Sequence, residues 1–154
     1  MKILYRKATL KDIPAMQKLV APEVESGVIL MRSNNEVATN IRSYHLVLDE
    51  EKLVGFVALH VHTPDLAEVR SLIIDQAYRS KAIGTTLADH ALLEAKSLGL
   101  KEVLALTYHR EFFEKMGFKE IPKESLPEHK IWADCIKCKH FPICNEISLI
   151  KQLF

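Results

Sequence analysis

One stretch restricts the fold more than any other. An apolar run, "AEVRSLIID" from Ala67, leads through the polar turn "YRSKAIG" into the helix-patterned "TTLADHALLEAKSLGL". In that last segment Leu87, Ala88, Ala91, Leu92, Ala95 and Leu98 recur at helical spacing and define one apolar stripe. Gly99 is placed to end the helix as a left-handed C-cap. A second apolar run, "EVLALTY", follows at once. Strand, helix and strand in close succession predict a crossover unit, with the helix covering one face of a sheet.

The flanking segments extend that sheet. "ILYRKA" reads as an opening strand and "TLKDIPAMQKLV" as a helix, with Thr9 or Asp12 as caps and Pro14 in its first turn. Ser33 followed by Glu36 has the spacing of a capping box at the start of "SNNEVATNIRSY". "HLVLDEEKLVGFVALHVH" reads as two strands joined by "DEEK", an antiparallel hairpin. After "EVLALTY" come a short helix, "REFFEKM", a strand, "GFKEI", an irregular tail from Pro122, and a last strand in "EISLIKQLF". The expected class is α+β (mixed α/β): a central mixed, mostly antiparallel sheet flanked by helices. A single domain over residues 1–154 is expected, with residues 122–154 as a cysteine-containing extension.

Charge and cysteine usage narrow the function classes. Lys and Arg number 21 against 20 Asp and Glu, so no broad nucleic-acid surface is expected and any anion site must be local. Charges recur every few residues in "MKILYRKATLKDIPAM", which argues against a signal peptide or a membrane span. The three cysteines all lie between Cys135 and Cys144, an odd and clustered set that fits a reducing cytoplasm.

The turn itself has the chemistry of a phosphate site. Where a strand enters a helix, the first backbone N–H groups lack intrahelical partners and the helix dipole is positive. Arg79 and Lys81 add cationic charge, and Thr85 and Thr86 add hydroxyls. The plain alternative is a polar strand-to-helix turn of the kind every α/β protein has.

From Glu68 to Phe118 the chain resembles the acetyl-CoA-binding half of the GNAT N-acetyltransferases. Their phosphate loop follows Arg/Gln-x-x-Gly-x-Gly/Ala, present here as "RSKAIG", and their second signature appears as "FFEKMGF". The resemblance implies acetyl-CoA as co-substrate. It implies that Leu72, Ile73 and Ile74 lie along the pantetheine arm, and that Arg79, Ser80, Lys81, Ala82, Ile83, Gly84 and Thr85 hold the pyrophosphate. Phe112 and Phe113 of the second signature complete the cofactor set. Ala82 stands where the family usually has its first glycine, a substitution tolerated at negative φ and costly at positive φ.

"ILMRSNNEVATNIRSYHLVLDE", "LAEVRSLIID", "LALTYHREFFEKMGFKEI" and "LPEHKIWADC" together are similar to the short, single-domain amino-acid N-acetyltransferases of the N-acetylglutamate synthase type. That resemblance implies L-glutamate as acceptor, in the first step of arginine biosynthesis. The larger synthases carry a kinase-like domain that binds arginine, for which 154 residues leave no room. Arg32, Arg70 and Arg110 are the candidate grips for two carboxylates, since arginine forks bind carboxylates bidentately. The bland reading of each is a surface or ion-pair arginine. Another amine as acceptor, or an acyl-CoA-sensing module without turnover, stays open. Partners are expected to be a small-molecule substrate and at most a second copy of the chain, with no nucleic acid and no membrane.

Direct attack of the amine on the thioester needs a base. Period-two alternation puts Glu68, Arg70, Leu72 and Ile74 on one strand face, and Glu68 is the candidate base. His60 and His62 on the neighbouring strand are candidate relays. The family's usual tyrosine acid is replaced by Phe113, so Tyr108 or water must serve; a thiol pKa of roughly 8.5 makes the thiolate a tolerable leaving group. Cys135, Cys138, His140 and Cys144 have ligand chemistry for a structural zinc, yet only one Cys-x2-Cys pair is present. Reduced thiols packing a C-terminal lobe are the expectation, and no metal.

Overall fold

In the computed structural model, residues 1–79, 82–122, 125 and 147–154 are described. Seven strands form one sheet in the order β1-β2-β3-β4-β5-β7-β6. They are β1 (Ile3–Lys7), β2 (Tyr44–Asp49), β3 (Lys52–Val61), β4 (Leu66–Ile74), β5 (Glu102–Thr107), β6 (Lys119–Ile121) and β7 (Ile147–Gln152). β4 and β5 are parallel; every other neighbouring pair is antiparallel. The parallel pair is joined by α3 (Ile83–Leu98), as the strand–helix–strand reading requires. The remaining helices are α1 (Ile13–Glu25), α2 (Asn34–Thr39) and α4 (Arg110–Lys115).

Two apolar layers lie against the two sheet faces. On one, Leu87, Ala91, Leu92 and Ala95 of α3 pack with Val47, Val57, Leu59, Ala67, Val69, Val103 and Ala105. On the other, Met16 and Val20 of α1 and Val37 of α2 pack with Tyr44, Leu46, Phe56, Ala58 and Ile73. Leu98, expected on the α3 stripe, is instead 59% exposed. It occupies the last turn, just before Gly99 reverses the chain at φ +86.

Local signals act where the residue types suggest. Ser33 Oγ accepts the N–H of Glu36 at 3.1 Å and starts α2. Asp12 accepts the N–H of Thr9 at 2.7 Å and a bidentate grip from Arg6 at 2.8 and 2.9 Å, which ties β1 to the entry of α1. Behind the sheet, Glu94 of α3 accepts hydrogen bonds from Lys7 Nζ at 3.0 Å and meets His45 Nε2 at 2.8 Å. That contact anchors α3 to the β1–β2 edge through a half-buried polar cluster.

Candidate active site

The pairing of β4 with β5 runs from Leu66 opposite Glu102 to Val69 opposite Ala105 and ends there. β4 continues to Ile74 and β5 to Thr107, so beyond Val69 and Ala105 the two parallel strands go on without pairing. The change falls at a bulge. Arg70 opposes Ala58 and Ile73 opposes Phe56, leaving Ser71 and Leu72 together across from Val57. Ser71 adopts φ +59, and the extra residue increases local twist and re-aims the strand.

The bulge corrects the period-two expectation. Glu68 and Arg70 share a face with Ala58, but Leu72 and Ile74 do not stay on it. Both pack into the layer against α3, while Ile73 joins the layer against α1. One inserted residue exchanges the faces of everything after it. β4 therefore gives Glu68, Arg70 and Ile73 to the α1 side and Leu72 and Ile74 to the α3 side.

On the α3 side, a Cβ built at Gly84 would lie 3.5 Å from Ile74 Cγ1 and 3.7 Å from Phe112 Cε2. Those are ordinary contact distances, so the first turn of α3 lies beside both the end of β4 and Phe112 of α4 with room for a methyl group. Ile83 is buried and Thr85 exposed. Thr86 donates from N and Oγ1 to Ala82 O, both at 3.1 Å, so the first intrahelical bond begins at Thr86. The N–H groups of Ile83, Gly84 and Thr85 precede that bond, the position at which a helix start offers N–H donors to an anion. Ala82, at the N-cap, has φ +60 and ψ +10, which is the costly case for alanine. Arg79 is held by Ile74 O, 3.0 Å from its Nε, and by Glu23 of α1 at 3.6 Å. Ser80 and Lys81 lie outside the described residues. Phe113, expected at the cofactor, is 4% exposed and packs edge-on between Phe112 and Phe118. It is a core residue, and Phe112 is the aromatic that reaches Gly84.

On the α1 side is a cavity lined by Met16, Gln17, Val20, Arg32, Tyr44, Phe56 and Ser71, among others. The bulge residue Ser71 therefore belongs both to the cavity wall and to the point where β4 leaves β5. Arg32 has a side-chain exposure of 11% and meets Glu36 at 3.5 Å. Arg70 stands in one cross-strand row with Ala58 and Tyr44. Burial raises the Tyr44 hydroxyl above its ordinary value, and the positive charges of Arg32 and Arg70 both oppose that rise. Two of the three predicted arginines thus bear on one buried tyrosine. The third does not: Arg110 is exposed at the start of α4 and pairs with Glu120.

Glu68 is 1% exposed, and its Oε1 lies 2.9 Å from His62 Nε2. His60, directly opposite Glu68 across the strand pair, stacks edge-on against His62 with ring centres 4.8 Å apart. Tyr108 follows the end of β5 and is 36% exposed. Cys135, Cys138, His140 and Cys144 lie outside the described residues. Among the described residues no group of three or more acidic, His or Cys side chains is arranged to hold a metal ion. None of their helices is long and apolar enough to cross a membrane.

A parallel strand pair joined through α3, with the predicted turn leading into the start of that helix, is the layout the sequence motifs imply. Residues 15–118 match the acetyltransferase (GNAT) family. The chain belongs to that family. It is an acetyl-CoA-dependent N-acetyltransferase. An N-acetyltransferase of Chlorobaculum tepidum, described as uncharacterized, is 35% identical over 148 residues, covering 96% of this chain and 95% of that one. An amino-acid acetyltransferase of Mycobacterium tuberculosis is 35% identical over 122 residues, or 77% of this chain and 69% of that one. Among solved structures, N-acetylglutamate synthase from Neisseria gonorrhoeae, complexed with coenzyme A and N-acetyl-glutamate, superposes with a TM-score of 0.89 at 24% identity. That superposition covers all of this chain, 100%, and 36% of the Neisseria chain.

The sequence motifs marked residues on the α3 side of the opening and left four residues of the α1 side unmarked. Gln17, Tyr44 and Phe56 carry no motif; only their helix and strand periodicity, which puts them on inward faces, could have singled them out. Ser71 carried no signal at all, because a bulge in an apolar run has no residue signature of its own.

Proposed function

We propose that this acetyltransferase moves the acetyl group of acetyl-CoA to the α-amino group of a free amino acid, L-glutamate, giving N-acetylglutamate and CoA. The observation that carries this reading is the cavity at the bulge, where Arg32 lines the wall and both Arg32 and Arg70 act on Tyr44. One guanidinium in the wall of a mostly apolar cavity, with a second acting on the tyrosine of the same wall, suits a small molecule with two carboxylates. Fixed cations in a desolvated wall bind such anions far better than surface lysines do. The names of the relatives point the same way.

In this reading acetyl-CoA takes the side bounded by α3. The N–H groups of Ile83, Gly84 and Thr85 take the pyrophosphate, and the backbone of β4 beyond the bulge takes the pantetheine arm. The amino acid enters from the α1 side, with its carboxylates on Arg32 and Arg70. Its ammonium loses a proton through a water to Glu68, two residues before Arg70 on the same strand face. The free amine attacks the thioester carbonyl, and a backbone N–H near Ile73 or Ile74 holds the oxyanion. The attacking nitrogen gives up its second proton to water, collapse breaks the C–S bond, and the thiolate takes a proton from Tyr108 or from water. Such a reaction draws on the free amino-acid pool of the cytoplasm and opens arginine biosynthesis.

The test is CoA thiol release from acetyl-CoA with glutamate, glutamine, aspartate and lysine offered separately. Release that depends on glutamate supports the reading. Release with lysine or another amine alone removes glutamate as the acceptor while leaving the family intact.

A further inference from the structure

The cavity wall contains a residue whose hydrogen bonds go to the segment bearing Arg32. Gln17, on α1, donates from Nε2 to the backbone carbonyl of Arg32 at 2.8 Å and to Asn34 Oδ1 at 3.1 Å. Both amide hydrogens are thereby committed, one on each side of Ser33, the N-cap of α2. Orientation of the amide is not in question, because the Arg32 carbonyl can only accept. Gln17 and Arg32 also line the same cavity.

The segment these bonds hold joins α1 to α2. Residues 30–33 belong to no helix or strand. Val28 and Ile29 donate to Glu23 O at 3.0 and 3.1 Å, and Val37 donates to Ser33 O at 3.0 Å. A long guanidinium side chain recognises a carboxylate well only if its own Cα is fixed, since otherwise the ordering cost falls on binding.

We infer that Gln17 is the positioning residue for the acceptor. It clamps residues 32–34 to α1 and so holds the Arg32 guanidinium at the cavity wall before the amino acid arrives. This deepens the proposed function and rests on it for the identity of the acceptor, though not for the clamp. The bonds are polar and directional, so the order of variants is set by donor chemistry. Gln17→Met keeps length and packing and removes both donors. Gln17→Glu keeps shape but turns a carboxylate toward the Arg32 carbonyl and Asn34 Oδ1, replacing two attractions with repulsion.

The experiment pairs two readouts on the wild-type chain and both variants. One is backbone amide exchange over residues 28–37, which needs no substrate. The other is steady-state kinetics with each substrate varied. Expected for Gln17→Met is faster exchange over residues 28–37, a KM for the acceptor raised about tenfold, and unchanged KM for acetyl-CoA. Gln17→Glu should be worse on both acceptor-side readouts. Unchanged exchange in Gln17→Met overturns the clamp. Faster exchange with an unchanged acceptor KM reduces Gln17 to a structural role and overturns the positioning claim. If the wild-type chain turns over another amine and not glutamate, the proposed acceptor fails separately, and the same KM comparison is read with that amine.

Discussion

Glu68 and His62 face each other across 2.9 Å with side-chain exposures of 2% and 3%, an acid–imidazole pair withdrawn from water on the face that also carries Arg70. A buried carboxylate beside an imidazole is costly unless the pair is used or well hydrogen-bonded. As the base for the incoming ammonium, Glu68 should be indispensable to chemistry and dispensable to donor binding. Glu68→Gln is expected to lower kcat by about 10²–10⁴-fold with acetyl-CoA affinity retained, as read by titration calorimetry. Retained kcat would remove Glu68 from the reaction.

Arg32 and Arg70, both acting on Tyr44, should behave alike and differently from Arg110. Arg70→Lys keeps the charge and loses the fork, so the acceptor KM should rise about tenfold or more. Arg110→Lys, whose partner is Glu120 outside the cavity, should leave both KM values within about twofold. Kinetics with each substrate varied separates the two cases.

Ala82 at φ +60 predicts a gain on substitution by glycine. A left-handed alanine costs on the order of 1 kcal/mol, part of which glycine returns as unfolded-state entropy. Ala82→Gly should raise stability by about 0.5 kcal/mol and tighten acetyl-CoA, as followed by denaturant midpoint and by KM. A loss of stability would mean that the backbone there is not left-handed.

Gly55 on β3 should be intolerant. A Cβ there would sit 2.8 Å from the Ile73 carbonyl and 2.6 Å from Ile74 Cδ1. Gly55→Ala must push β4 away at its unpaired end, at a cost of about 1–3 kcal/mol. The displacement falls on the backbone offered to the pantetheine arm, so KM for acetyl-CoA should rise with it. A variant as stable as the parent would show that the strands are less closely packed than they stand here.

Acid should weaken the β1–α1 corner in a defined window. The Arg6 guanidinium holds the Asp12 carboxyl down to about 2 from 3.8. A depressed folded value means stability fully present above pH 3.8 and lost as pH falls toward 2. Because Arg6 is 35% exposed, solvent screening reduces the contribution to about 1 kcal/mol. Asp12→Asn should lose that stability at neutral pH and flatten the stability curve in that window, as measured by urea denaturation across pH.

The crossover unit was legible because its signals are local. A helical stripe ending at a glycine and two apolar runs fix α3 between β4 and β5 without reference to the rest of the chain. The start of α3 was legible for the same reason, through Gly84 and the hydroxyls that follow. What escaped was non-local. The bulge at Ser71 moves Leu72 and Ile74 to the α3 side, and no residue type announces it. Phe113 reads as a second-signature residue in sequence, yet Phe118 and the end of α4 draw it into the core. Arg110 looks equivalent to Arg32 and Arg70 until the strand order places Glu120 beside it.

The most direct test of the central claim is glutamate-dependent CoA thiol release in the wild-type chain and in Arg32→Ala, with acetyl-CoA binding measured on both proteins. The account predicts release that requires glutamate, collapses in Arg32→Ala by about a hundredfold in kcat/KM, and leaves acetyl-CoA binding unchanged. Equal release from both proteins, or release indifferent to the added amino acid, would contradict it.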